Sequence, residues 1–243
     1  MPSGTNTSVT TEVAVYDLDR TLTDTGSWVH FIAFWLRNEA PWRVILLPVV
    51  ALGALAFGLK LTSRSGIKSW THRWLIGNRV AESRMTAAAE TFAEIFVTAH
   101  ALLGARAALG NDAALGRRLV IASASHSFYV RAIAAKLGVA DVVATEAVRR
   151  GGWLSSRLAG DNCYGAGKRR ALEAWLAWEG LEGAVVHFTS DHHSDVPCFE
   201  LALESGGTVV CAHPSAKLAV IAAERGWPVA QWGTIKASLF ERA

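Results

Sequence analysis

Four short apolar runs set the framework of the chain. Val13 to Tyr16, Arg118 to Ser125, Gly183 to Asp191 and Gly207 to Pro214 are rich in β-branched residues, and each predicts a buried strand. Helical spacing follows at His126 to Leu137 with Gly138 as a stop, and at Gly167 to Trp178 with Gly180. It returns at Ser194 to Glu204 and at Ser215 to Arg225. Strands that alternate with helices predict an α/β fold, a Rossmann-like parallel sheet with right-handed crossovers and helices on both faces. Such sheets bind ligands beyond the carboxyl ends of their strands. A lesser excursion, Ala144 to Gly160, alternates on either side of Gly151 and Gly152 and predicts a β-hairpin.

The pattern breaks between the first two strands. About ninety residues separate them, far more than a crossover needs, so residues 25–110 read as a helical subdomain inserted into a core of residues 13–24 and 111–243. Residues 37–79 carry seven Lys or Arg against one acid, Glu39. Five of the ten tryptophans fall between Trp28 and Trp74, and the seven-residue spacing of Trp28, Trp35 and Trp42 places them near one helical face. Between Arg43 and Lys60 lie sixteen uncharged, mostly apolar residues, interrupted by Pro48, Gly53 and Gly58. That is short of the roughly twenty a spanning helix needs. Two readings stand: a buried helix at the core of the subdomain, or a hairpin lying in a membrane interface. The flanking Trp42, Arg43, Lys60 and Arg64 suit contact with anionic lipid.

Composition narrows the class. Hydrophobic residues make up 51% and charged ones 19% of the chain, which points to unusual apolar surface. The net charge of +3 and the lack of basic runs interleaved with aromatics exclude a nucleic-acid binder as the default. Cys163, Cys198 and Cys211 are too few for a disulfide framework or a zinc site and fit a reduced, cytoplasmic setting. Residues 1–12 are small and polar and read as a disordered lead-in with no signal-peptide pattern.

Candidate chemistry gathers at the strand ends. The first strand runs into Asp17 and Asp19, the second into Ser123, the third into Asp191 with Asp195 four residues on, and Lys168 opens the helix between. Paired carboxylates repel, so a fold that holds them together has a cation or a chemical task for them. Mg²⁺ suits such a set, being a hard ion that takes oxygen ligands and keeps waters for a phosphate to replace. A hydroxyl and an ammonium suit the phosphate itself. His192 and His193 flank the acid, but imidazole is a poor Mg²⁺ ligand, so loop or substrate contacts are expected of them.

The four segments "DLDRT", "VIASAS", "GAGKRRALEAWL" and "SDHHSD" occur in order, and the sequence resembles the haloacid dehalogenase (HAD) superfamily from about Val13 to Ala202. The resemblance implies that Asp17 attacks phosphorus to form an aspartyl-phosphate, and that Asp19 protonates the leaving alkoxide and then activates water. It implies that Ser123 and Lys168, with Thr21 and Ala124, hold the phosphoryl oxygens. Mg²⁺ would be bound by Asp17, the backbone carbonyl of Asp19, and Asp191, while Asp195 orients Lys168 or a metal-bound water. A helical insertion after the first motif is similar to the C1 cap of the HAD-IB phosphatases.

Within that group the phosphoserine phosphatases place a glutamate nine residues after the nucleophile to grip an amino group, and this chain has Gly26 there. The apolar, basic, tryptophan-bearing cap is instead similar to that of phosphatidylglycerophosphatase C-type proteins. The expectation is a cytoplasmic, Mg²⁺-dependent phosphomonoesterase acting on a small or lipid-borne phosphate monoester, with contact between the cap and the inner face of the membrane left open as one of the two readings of residues 44–59. Two alternatives stay open: a soluble phosphatase of phosphoserine-like or amino-alcohol phosphates, and a catalytically silent regulatory protein of the same fold.

Overall fold

Residues 11–233 are described by the computed structural model. The lead-in assigned to residues 1–12 lies outside them except for its last two positions, and Glu12 already belongs to the first strand. Strand β1 (Glu12–Tyr16) lies at the middle of a six-stranded sheet whose neighbouring strands all run parallel. With β3 (Arg118–His126), β4 (Asp141–Thr145), β7 (Val185–Ser190), β8 (Val209–Ala212) and β9 (Val229–Ala230), the order is β4-β3-β1-β7-β8-β9.

Period-two alternation divides each central strand between two cores. Val13 and Val15 of β1 and Val120 and Ala122 of β3 face one cluster, with Leu172 and Phe199 from helices α7 (Ala166–Trp178) and α8 (Val196–Glu204). Ala14, Tyr16 and Ile121 face the other, with Phe31 and Trp35 of α1 (Ser27–Asn38), Phe92 and Phe96 of α4 (Glu82–His100), and Tyr129 of α6 (Ser127–Lys136). A sheet apolar on both faces requires helices on both, as the sequence predicts. The chain leaves β1 for one flank, β3 and then β4, and returns to the other through β7, so the strand order reverses beside β1. Asp17 is the next residue.

The segment between β1 and β3 is mostly helical. After α1 come a 3₁₀ turn (Pro41–Leu46), α2 (Leu47–Gly58), α3 (Arg64–Thr71), a π-helical turn (His72–Ile76), α4 and α5 (Leu103–Ala114). It also supplies a strand, β2 (Val80–Ala81), which pairs antiparallel with β6 (Trp153–Leu158) beside β5 (Ala147–Arg150). The hairpin β5-β6 turns at Gly151 and Gly152, whose φ of 57° and 77° only glycine adopts freely.

Three details differ from the sequence expectation. Strand β4 fills a stretch that carried no separate strand signal, because its five residues run straight toward the hairpin pattern. Trp42 does not share a helix with Trp28 and Trp35: α1 ends at Asn38, ahead of Pro41 in the 3₁₀ turn, and Trp42 is exposed. No residue from Pro41 to Gly58 is buried, which excludes the buried-helix reading of that segment.

Candidate active site

The loop after β1 is fixed from behind. Leu18 and Leu22 are fully buried, the backbone N–H groups of Thr21, Leu22 and Thr23 all lie within 3.3 Å of the Leu18 carbonyl, and Arg20 turns the chain with φ of 65°. Asp17 continues the sheet ladder, its N–H donating to Thr189 O at 2.9 Å. Its side chain therefore starts from a rigid strand end.

Lys168, in the first turn of α7, reaches back to this end. Its Nζ donates to Asp17 Oδ1 at 2.7 Å and to Asp195 Oδ2 at 2.6 Å, and it is 2% exposed. Asp195 also accepts from Ser190 Oγ at 2.7 Å, while its Oδ1 is buried with no hydrogen-bond partner. Asp191 follows β7, and the Thr21 hydroxyl lies 3.3 Å from Asp17 Oδ2 and 3.4 Å from Asp191 Oδ1. Two carboxylates around one hydroxyl occupy one small volume. Asp19 is held separately: Ser27 N–H donates to its Oδ1 and Ser125 Oγ to its Oδ2, both at 2.6 Å.

The electrostatics follow from the burial. Asp17 is pushed up to about 8, chiefly by loss of water and further by Asp195 and Asp191, against the pull of the Lys168 ammonium. Asp191 is pushed up to about 6, again by burial first and Asp195 second. Burial alone would lower Lys168, but the carboxylates of Asp17 and Asp195 outweigh it and hold its ammonium well above the usual range.

Among the described residues no group of three or more His, Cys, Asp or Glu side chains forms a metal cage. The donor set is instead two repelling carboxylates, those of Asp17 and Asp191, beside an unpartnered oxygen of Asp195. Such a set fits Mg²⁺, which is bound through one or two carboxylates and keeps several waters. Asp17, Asp191 and the backbone at Asp19 would hold it.

A cleft of about 270 Å³ opens over these groups, lined by Asp17, Asp19, Lys168 and Asp191, with Ala124 on the side of β3 and Arg64 from α3. Thr21 is fully buried, sits between the carboxylates and accepts from Asp191 N–H at 2.9 Å. Ser123 is likewise buried, its hydroxyl accepting from Ser125 N–H at 3.1 Å, and Ala124 is the residue that reaches the cleft wall. His192 lines the cleft and caps the next turn, its Nδ1 accepting from Ser194 N–H at 3.1 Å.

Sequence reasoning missed the part that α3 plays, with Arg64 on the cleft wall and Lys68 behind it. Lys68 of α3 donates to Ala124 O and to Asn162 Oδ1, which Thr145 Oγ1 also reaches at 2.8 Å. Burial pushes the Lys68 ammonium down to about 8. Arg64, one helical turn earlier, stacks over the Tyr164 ring at 4.5 Å and faces the cleft. The signal that could have found both is the basic excess of residues 37–79, with Arg64 and Lys68 spaced by four.

Residues 14–200 match the haloacid dehalogenase-like hydrolase family. The chain is 27% identical over 222 residues to phosphoserine phosphatase SerB1 of Mycobacterium tuberculosis, covering 90% of this chain and 70% of that protein. A solved structure of a protein of unknown function from Bordetella pertussis superposes with a TM-score of 0.77 at 25% identity, over 90% of this chain and 98% of that one. The unliganded probable phosphoserine phosphatase of Vibrio cholerae superposes with a TM-score of 0.63 at 13% identity, over 94% of this chain and 63% of that one.

Proposed function

The chain belongs to the haloacid dehalogenase-like hydrolases, and from that premise we propose that it is a Mg²⁺-dependent phosphomonoesterase working through an aspartyl-phosphate on Asp17. The observation that carries the reading is the convergence of Asp17, Asp191 and Asp195 on one buried lysine and one hydroxyl beneath a cleft that Asp19 borders.

Lys168 pins Asp17 Oδ1, and Oδ2, which meets only the Thr21 hydroxyl at 3.3 Å, is the oxygen that attacks phosphorus in line. The P–O bond to the leaving alkoxide breaks as a new bond to Oδ2 forms. Asp19, steadied by Ser27 and Ser125, gives its proton to the alkoxide, then takes one from water as that water attacks the acyl phosphate and frees Asp17. When bound, Mg²⁺ supplies positive charge that offsets the phosphoryl oxygens and the crowded carboxylates. Lys168, the backbone at Ala124 and the remaining proton of Ser123 serve the phosphoryl group, and Asp195 keeps Lys168 in place. The helical segment after β1, through Arg64 and Lys68 of α3, acts as the cap over the cleft.

The substrate is a phosphate monoester, free or carried on a lipid, whose head fits a cleft of about 270 Å³. The name of the mycobacterial relative favours phosphoserine as a second reading. Against it, Gly26 lines the cleft without a carboxylate to grip an amino group, and Asp24 is engaged elsewhere, with His100 Nδ1 2.8 Å from its Oδ1.

Turnover of an aryl phosphate tests the reaction. Wild type with Mg²⁺ is expected to hydrolyse p-nitrophenyl phosphate, and Asp17→Asn to lower kcat by at least about 10³-fold. Turnover that survives Asp17→Asn would remove the nucleophile, and wild type inert toward a panel of phosphorylated metabolites would leave the silent-protein alternative.

A further inference from the structure

A helix on the outside of a water-soluble cap turns a polar face to solvent. Helix α2 does not. The positions that lean on the protein are Leu46, Val49, Val50, Gly53 and Ala56, only partly covered; the Trp70 ring of α3 rests on Gly53, and Trp70 Nε1 donates to Val49 O at 3.0 Å. The opposite positions are just as apolar. Ile45, Leu52, Leu55 and Leu59 are each 60% exposed or more. From Pro41 to Gly58 the mean hydropathy is 1.7, and no residue is buried.

The ends of this apolar rod are cationic and aromatic. Trp42 is 64% exposed with the Arg43 guanidinium 4.5 Å from its ring centre, Lys60 and Arg64 follow the far end, and the only acid between residues 37 and 79 is Glu39, which is paired with Arg84 at 2.8 Å. Indoles rest at headgroup depth and cations beside lipid phosphate, so the rod has the sequence of layers that one leaflet presents. A second copy of the chain fits less well, since pairing two such rods would bring equal basic flanks together. Nor does the rod span. Arg43 donates to Trp74 O at 2.8 Å at one end, and Trp70 holds Val49 and rests on Gly53 in the middle, so the rod lies along the body that carries it.

We propose that the rod from Pro41 to Leu59, with α2 at its centre, is a membrane-docking element whose outer face, Ile45, Leu52, Leu55 and Leu59, enters the hydrocarbon edge of an anionic bilayer while Trp42, Arg43 and Lys60 engage lipid phosphate. Arg64 begins the next helix and lines the cleft, so docking brings the cleft mouth to the headgroup layer. Membrane binding is independent of turnover: a chain that hydrolysed nothing would still dock.

Flotation of the full chain with vesicles tests this. The protein is expected to float with phosphatidylcholine vesicles containing phosphatidylglycerol, and far less with phosphatidylcholine alone. The double variant L52E/L55E should lose at least about ten-fold in the vesicle-bound fraction and keep its hydrolysis of a soluble aryl phosphate, because both residues lie outside the cleft. As a second readout on a chain with its apolar face intact, lipids brominated in the acyl chain should quench tryptophan emission, and Trp42→Phe should remove most of that quenching. Wild type that stays in solution with anionic vesicles overturns the proposal. So does flotation unchanged by L52E/L55E, or a concentration-dependent dimer that L52E/L55E abolishes, which would give the face to a second copy.

Discussion

His72 is a polar residue placed where no polar partner reaches it. It is fully buried at the start of the π-helical turn, both ring nitrogens lack a hydrogen-bond partner, and its ring lies 5.3 Å from that of His126, which is buried and unpartnered in the same way. Burial pushes His72 down to about 3, and His126 also falls well below the ordinary value. A depressed histidine means that the unfolded chain takes a proton the native one refuses. Its contribution to stability is therefore whole above about 6.5 and is lost as pH falls from there toward about 3. At pH 5 the loss from His72 alone is roughly 2 kcal/mol. Urea unfolding of wild type and His72→Phe at pH 7 and pH 5 checks this. The wild type should weaken by about 2 kcal/mol more than the variant between the two, and parallel pH slopes would show that the imidazole titrates elsewhere.

At the scale of elements, the sequence announced what periodicity and spacing can carry. Strands β1, β3, β7 and β8 were legible because a strand buried on both faces reads as an apolar run. Asp17, Asp19 and Asp191 were legible as acids just past a strand and Lys168 as the lysine that opens a helix, and all four line one cleft. Strand β4 was not, being five residues with no punctuation before the hairpin. The seat of Thr21 between two carboxylates was not legible, because a motif gives residue types in order and says nothing of which oxygen faces inward; Lys68 and Asn162 meet across 94 residues, a pairing no local pattern encodes. Close approach of backbones is likewise invisible in one dimension. A methyl group on Gly207, between α8 and β8, would lie 1.9 Å from the Val186 carbonyl oxygen, so α8, β7 and β8 can meet only around a glycine. Gly207→Ala must push β8 from β7. A loss of about 1–3 kcal/mol in chemical denaturation is expected, as for other overpacked sites, whereas Gly183→Ala, with open space around it, should be close to neutral.

For the whole molecule the governing fact is where charge is placed. The basic excess lies in residues 37–79, leaving −3 on the remainder, part of it the carboxylates beneath the cleft. The core thus holds buried negative charge that one lysine balances only in part. A carboxyl raised from 3.8 to about 8 favours the native state while it holds a proton, and that advantage is lost as pH rises through about 8. In the metal-free protein the carboxyl contribution should therefore be lost between pH 5 and pH 8, opposed below about 6.5 by the gain from His72, with Asp17 as the main contributor and Asp191, raised to about 6, as the second. Under the proposed function Mg²⁺ would reverse the logic, since it would bind the ionised pair and compete with the proton on Asp17. Its stabilisation should be small at pH 6 and large at pH 8.5. At a hundred times Kd it amounts to about 2.7 kcal/mol, which for a chain of this size is a rise of roughly 5–10 °C in Tm. Thermal melts with Mg²⁺ or EDTA at the two pH values measure it. Asp191→Asn should abolish the rise at both, because a single carboxylate cannot replace the pair; an equal rise at pH 6 and pH 8.5 would place the ion away from Asp17.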